Sequence, residues 1–162
     1  MIRLKRVVCA VVLVLTLPGC GGRIPLEETM TQDEAYERAE EHIAGAVAVL
    51  PETVVLSSLG GDLSNPCFDT VDGGASGIAA VGRTYWLREL PVEDNEANVD
   101  LLYEYWTANG YQVTDDGRPD DLAVFVEHEE DSFRMSVQSS VQGSLSISSS
   151  SPCVWPEGTP NR

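Results

Sequence analysis

Between Thr31 and Trp155 the apolar positions alternate between two periods, and each change of period marks a new element. Thr31 and Glu34 stand in the spacing of a capping box, where each side chain satisfies the other's backbone N–H. The run that follows predicts a helix. Tyr36, Ile43, Val47 and Leu50 fall on one face with Ala39 and Ala46 beside them, and Pro51 ends it. "TVVLSS" reads as a buried strand. From Gly60 to Gly82 the periodicity dissolves among Gly, Asp and Ser, which predicts a loop containing Cys67. "AVGRTYWLREL" is rich in β-formers and predicts the next strand. In "EDNEANVDLLYEYWTANGY" the residues Val99, Leu102, Tyr103 and Trp106 return to helical spacing. Asp94 or Asn95 supplies the N-cap, and Gly110 suits the position just past the helix end.

The rest of the chain alternates with period two. "YQVTDD" and "LAVFVEHE" face each other across the turn "DDGRPDD". Phe133, Met135 and Val137 share one face of "SFRMSVQ"; Leu145 and Ile147 share one face of "GSLSIS", with serines opposite. Apolar-in, polar-out alternation marks an antiparallel sheet with one wet face. The order helix, strand, strand, helix, then about four strands predicts an α+β two-layer sandwich. Two helices pack on one face of a mainly antiparallel sheet of about five to six strands.

The first residues follow a different pattern. Arg3, Lys5 and Arg6 precede an apolar run from Val7 to Leu17, eleven residues against the roughly twenty that span a bilayer as a helix. This is the proportion of a signal peptide. The run ends in Leu17-Pro18-Gly19-Cys20, which resembles the lipobox of bacterial lipoproteins: a branched aliphatic residue, a small residue, Gly or Ala, then Cys. Leu17, Gly19 and Cys20 match, and Pro18 departs from the small residue. The resemblance implies cleavage before Cys20 and attachment of diacylglycerol, with palmitate-like chains, to its sulfur. Two or more acyl chains hold a protein stably on a membrane. The chain also loosely resembles small actinobacterial lipoproteins through this box, its paired cysteines and "W-x-x-x-G-Y", a pattern that carries no functional residues across.

Export sharpens the charge picture. With Arg3, Lys5 and Arg6 removed, seven cations, all arginine, face 26 acids, for a net charge of about −19. Such a surface repels nucleic acid and anionic headgroups, so the lipid does all the anchoring. Cys9 leaves with the signal and Cys20 takes lipid. Cys67 and Cys153 remain as one pair in an exported chain, which predicts a disulfide. A zinc site at the cysteines is disfavoured because neither His42 nor His128 lies near them in sequence.

Candidate chemistry is sparse. "GGASG" misses the final glycine of a nucleophile elbow by one position. Asp115, Asp116, Asp120, Asp121, Glu127, Glu129, Glu130 and Asp131 crowd a short stretch that could hold calcium, without EF-hand spacing. His128, flanked by acids at a strand end, reads as half-buried at the sheet margin, with no nucleophile beside it. His42 reads as an ordinary helix-surface residue. Tyr85, Trp86, Tyr103, Tyr105, Trp106 and Tyr111 read as one aromatic cluster, with Tyr105, off the apolar stripe of its helix, as a candidate ligand surface.

The expected organisation is a signal at 1–19, lipidated Cys20 and a tether to residue 30, one domain at 31–155 and a disordered tail at 156–162. The expected function is that of a lipid-anchored protein on the extracytoplasmic face of the cell membrane. It would be a non-enzymatic binding domain for an envelope protein or cell-wall component, without cofactor, catalytic residue or metal. The alternatives are an envelope hydrolase using carboxylates and His128, or a calcium-stabilised binding domain.

Overall fold

The computed structural model describes residues 27–68 and 75–160. The signal-like run with Cys20, the first two residues of "GGASG" and the last two of the chain lie outside them.

Helix α1 (Gln32–Val47) opens on the expected capping box. The Thr31 hydroxyl accepts from the Glu34 N–H at 3.2 Å, and the Glu34 carboxylate accepts from the Thr31 N–H at 2.8 Å. Its buried face is Ala35, Ala39, His42, Ile43 and Ala46, while Tyr36 and Val47 are only half-buried. The alanines bring the helix close to the sheet and turn the stripe toward themselves. His42 lies on that alanine side and is 6% exposed, so it is a buried residue and not the surface residue its polarity suggested.

Strands β1 (Val55–Ser58) and β2 (Leu63–Phe68) lie end to end along one edge of β3 (Ala75–Arg88), both antiparallel to it. Most of the expected Gly60–Gly82 loop is therefore strand. β2 is mostly exposed, with Cys67 half-buried, so backbone pairing with β3 holds it rather than apolar burial. Gly82 sits where β3 meets β7, and a Cβ there would overlap the Ser149 carbonyl oxygen.

A short 3-10 turn (Val92–Asp94) leads into α2 (Asn95–Ala108), which buries Asn95, Asn98, Val99, Leu102 and Trp106. Gly110, at φ +81°, then reverses the chain. Strands β4 (Tyr111–Asp116), β5 (Ala123–His128), β6 (Arg134–Ser139) and β7 (Leu145–Ser150) form a meander that closes on β3. The spatial order is β1-β3-β7-β6-β5-β4, with β2 beside β3, seven antiparallel strands in one sheet. α1 covers β3 and β7 and α2 covers β4 and β5, which makes the two-layer α+β sandwich.

The main core joins Ile43, Leu102 and Trp106 of the helices to Val124, Val126, Val137, Leu145 and Ile147 of the sheet. Each large side chain buried in this way contributes about 1.5–3 kcal/mol relative to exposure. A smaller cluster of Ala35, Ala39, Val81, Phe133 and Val154 continues it toward the chain ends.

Those ends fold further than the sequence suggests. The Thr29 N–H donates to the Gly158 carbonyl at 2.8 Å, and the Trp155 N–H donates to the Thr29 hydroxyl at 2.9 Å. Thr29, Pro156 and Gly158, within the stretches read as tether and tail, are thus hydrogen-bonded to the domain. A disulfide joins Cys67 of β2 to Cys153, their Cα atoms 6.3 Å apart, and ties the outer strand to the chain end. No helix among the described residues is long and apolar enough to cross a membrane.

Candidate functional site

The chain reversal at Gly110 makes Tyr111 the first residue of β4, with its side chain on the helix-facing side of the sheet. The β4–β5 register places Tyr111 directly opposite His128, the last residue of β5. Beyond His128 the chain turns tightly: the Ser132 N–H donates to the His128 carbonyl at 2.9 Å and the His128 N–H to the Phe133 carbonyl at 2.8 Å. That turn aims Asp131 back at the sheet end. α1 passes over the same corner and contributes Arg38, Glu41 and His42 from successive turns, while the end of α2 contributes Tyr105 and Asn109.

Asp131 is the hub. One carboxylate oxygen accepts from His128 Nδ1 at 2.7 Å and from the Phe133 N–H at 3.3 Å. The other accepts from Arg38 Nε at 2.9 Å and from His42 Nε2 at 3.0 Å. An ionised carboxylate only accepts, so both imidazoles carry their proton on the nitrogen that faces it. His42 Nδ1 is then an acceptor, and it takes the Tyr111 hydroxyl at 2.5 Å. A chain of bonds runs from the phenol through one imidazole to the carboxylate and on to the second imidazole.

The electrostatics agree with this proton assignment. Burial raises the Asp131 carboxyl, but the hydrogen bonds from Arg38, His128 and His42 outweigh burial and hold the group at about 2. Burial pushes His42 below its ordinary value against the pull of Asp131, which favours the neutral ring. Burial likewise raises the Tyr111 phenol well above its usual range and keeps it a donor.

Among the described residues, His128 Nε2 has no hydrogen-bond partner. The His128 side chain borders a cleft of about 230 Å³, lined also by Arg38, Glu41, His42, Tyr105, Asn109 and Tyr111. An imidazole fixed by a carboxylate on one nitrogen and open on the other can accept a proton, donate one or ligate a metal. Arg38 and Glu41, paired at 2.8 Å on the rim, add one charge of each sign.

The candidates raised by the sequence divide. Tyr105 lies in the cleft wall. Cys67 and Cys153 are bonded to each other and do not line the cleft, and Cys20 lies outside the described residues. Five of the six aromatics pack in or against the main core, as core packing around the second helix predicts, and Trp86 does not. Tyr105, Trp106 and Tyr111 are neighbours, whereas Tyr85 donates to Glu40, Arg118 stacks on Tyr103, and Trp86 faces the outer side of the sheet beneath Arg88. The acidic stretch also separates. Asp116 pairs with Arg118, Glu127 with Arg134, and Asp131 with the histidines. The metal-capable group that converges is not the acidic turn but His42, His128 and Asp131, where no metal site was expected.

Sequence reading missed Arg38, placed His42 on the surface, and raised Asp131 only as one of eight clustered acids and Tyr111 only as one of six aromatics. The signal for Tyr111 was the hairpin register opposite His128, hidden by a β-bulge between Val113 and Asp115. Comparison with family models, curated proteins and solved structures finds no match for this chain.

Proposed function

We propose that this chain is a lipid-anchored protein of the extracytoplasmic membrane face whose domain binds a partner through the cleft bounded by Tyr105 and His128. The observation that carries the binding part is the cleft itself. Its polar walls are fixed by the Asp131 hub, and His128, held through Nδ1, lines it with no hydrogen bond at Nε2 among the described residues. Pre-fixed polar groups around a concavity recognise a ligand at low ordering cost. The lipobox-like Leu17–Cys20 supports the anchor, and the Cys67–Cys153 bond supports an oxidising compartment.

A photo-cross-linking residue placed at position 105 in the anchored protein, in its own cells, tests the binding role. It is compared with the same residue at position 141, which is 98% exposed on the β6–β7 turn at the opposite end of those strands. One partner captured from position 105 and not from 141, and lost on His128→Ala, is the expected result. Identical capture from both positions contradicts it.

The Asp131–His128 pair supports a second reading, an envelope hydrolase in which His128 Nε2 serves as general base to water. Turnover of a cell-wall substrate that disappears with His128→Ala would favour it over binding alone.

A further inference from the structure

We propose that His42, His128 and Asp131 form a binding site for a divalent transition metal, with zinc as the natural occupant and the cleft supplying the remaining ligand as water. The three residues come from α1, the end of β5 and the β5–β6 turn, so the fold and not a local motif assembles them. Their ligand atoms all lie within 4.8 Å of one another. His42 Nε2 and His128 Nδ1 stand 3.0 and 2.7 Å from the carboxylate oxygens. In a four-coordinate zinc site with bonds of about 2.0–2.2 Å, neighbouring donor atoms stand about 3.3 Å apart. Each imidazole nitrogen thus stands within about 0.6 Å of that spacing, on a different carboxylate oxygen, and the three donors, all within 4.8 Å, need only small side-chain shifts to close on one ion. Two imidazoles and a carboxylate with an open position are a donor set suited to zinc or iron(II), and poor for calcium or magnesium, which take oxygen.

Binding needs no net loss of protons from the two rings. His42 moves its proton from Nε2 to Nδ1, and the Tyr111 hydroxyl, which donates to Nδ1 in the metal-free protein, turns to accept. His128 moves its proton from Nδ1 to Nε2, on the cleft side. Tyr111 is then the outer partner that fixes the first ring, as such partners do for metal-bound histidines. Arg38 is the competitor. Its guanidinium holds the same Asp131 oxygen that faces His42 and adds a positive charge beside the ion. Its side chain is 42% exposed and paired with Glu41 on the rim, so it is free to swing away.

The inference deepens the reading of the cleft as a binding site and rests on it, but not on the anchor. Zinc titration reads the three side chains directly, whereas cross-linking reads the partner, so each can fail alone. The full chain in detergent, with its disulfide intact, is titrated with zinc by calorimetry at physiological salt, and far-UV circular dichroism checks each variant's fold. Expected is one zinc per chain. Tyr111→Phe should weaken binding about 10-fold, the low end of the range for outer partners, and His128→Ala, which removes a ligand, by more than about 100-fold. Arg38→Gln should strengthen it several-fold, which a merely acidic surface would not produce. Cobalt in the wild type should show the intense visible absorption of a four-coordinate ion, a readout that needs no variant. No saturable stoichiometric binding, binding unchanged by His128→Ala, or the weak absorption of hexa-aqua cobalt would overturn the site.

Discussion

At the scale of single residues, the corner around Asp131 concentrates the polar chemistry buried by this fold. One carboxylate receives three side chains and a backbone N–H, and the bonds to ionised groups are worth about twice a neutral hydrogen bond. Two of its groups make stability depend on pH, in the same direction. Burial depresses His42 in the folded state, so the unfolded chain binds the proton more tightly. Its contribution is therefore full above about pH 6.5 and is lost as pH falls below that. Asp131, held at about 2 against an ordinary 3.8, contributes above pH 4 and is lost as pH falls toward 2. With chelator present, the melting temperature should be level near pH 7–8, fall below pH 6.5 and fall again below pH 4. His42→Gln, which keeps a hydrogen-bonding side chain but does not titrate, should cost about 1–2 kcal/mol at pH 7 and remove the upper of the two declines. Thermal melts of both proteins across pH 3–8 check this, and an unchanged upper decline in His42→Gln would assign it elsewhere.

At the scale of elements, the sheet depends on one close approach. Gly82 of β3 passes the Ser149 carbonyl of β7 with no room for a side chain. β3 also carries β1 and β2 on its other edge, so strain there reaches three neighbours. Gly82→Ala should cost about 2–3 kcal/mol, read as a lower denaturant midpoint with an unchanged slope. A midpoint equal to the wild type would show that the strands slide apart freely. The same elements explain what the sequence disclosed. The two helices and four meander strands were legible because each carries its own apolar period and its own punctuation, the Thr31–Glu34 box and Gly110 among them. β2 was not legible. Its side chains are mostly exposed, and pairing between distant residues such as Leu63 and Gly82 leaves no local pattern. The site was hidden for a related reason. His42 lies 86 residues from His128 in the chain, and the two meet only because α1 crosses the end of β4 and β5. Polarity placed His42 outside, yet its spacing from Ala35, Ala39 and Ala46 already put it on the buried face.

At the scale of the whole molecule, the disulfide closes a separation of 86 residues between the outermost strand and the chain end. Closing so long a loop stabilises by about 4.5 kcal/mol in the chain-entropy model, a large share of a domain's typical 5–15. Reduction should therefore release β2 first, because its side chains are mostly exposed, while the meander and both helices keep their core. Hydrogen exchange should show β2 amides opening on reduction well before those of β5 to β7; simultaneous opening would make the bond a support of the entire fold. The bond, and the net charge of about −19 that would follow removal of Arg3, Lys5 and Arg6, are consistent with the proposed domain held outside the cytoplasm by lipid. That claim is tested most directly by growing cells on a clickable fatty acid. The account predicts label on the wild-type chain in the membrane fraction, and none on Cys20→Ser. Equal labelling of the two, or an unlabelled wild type, would contradict it.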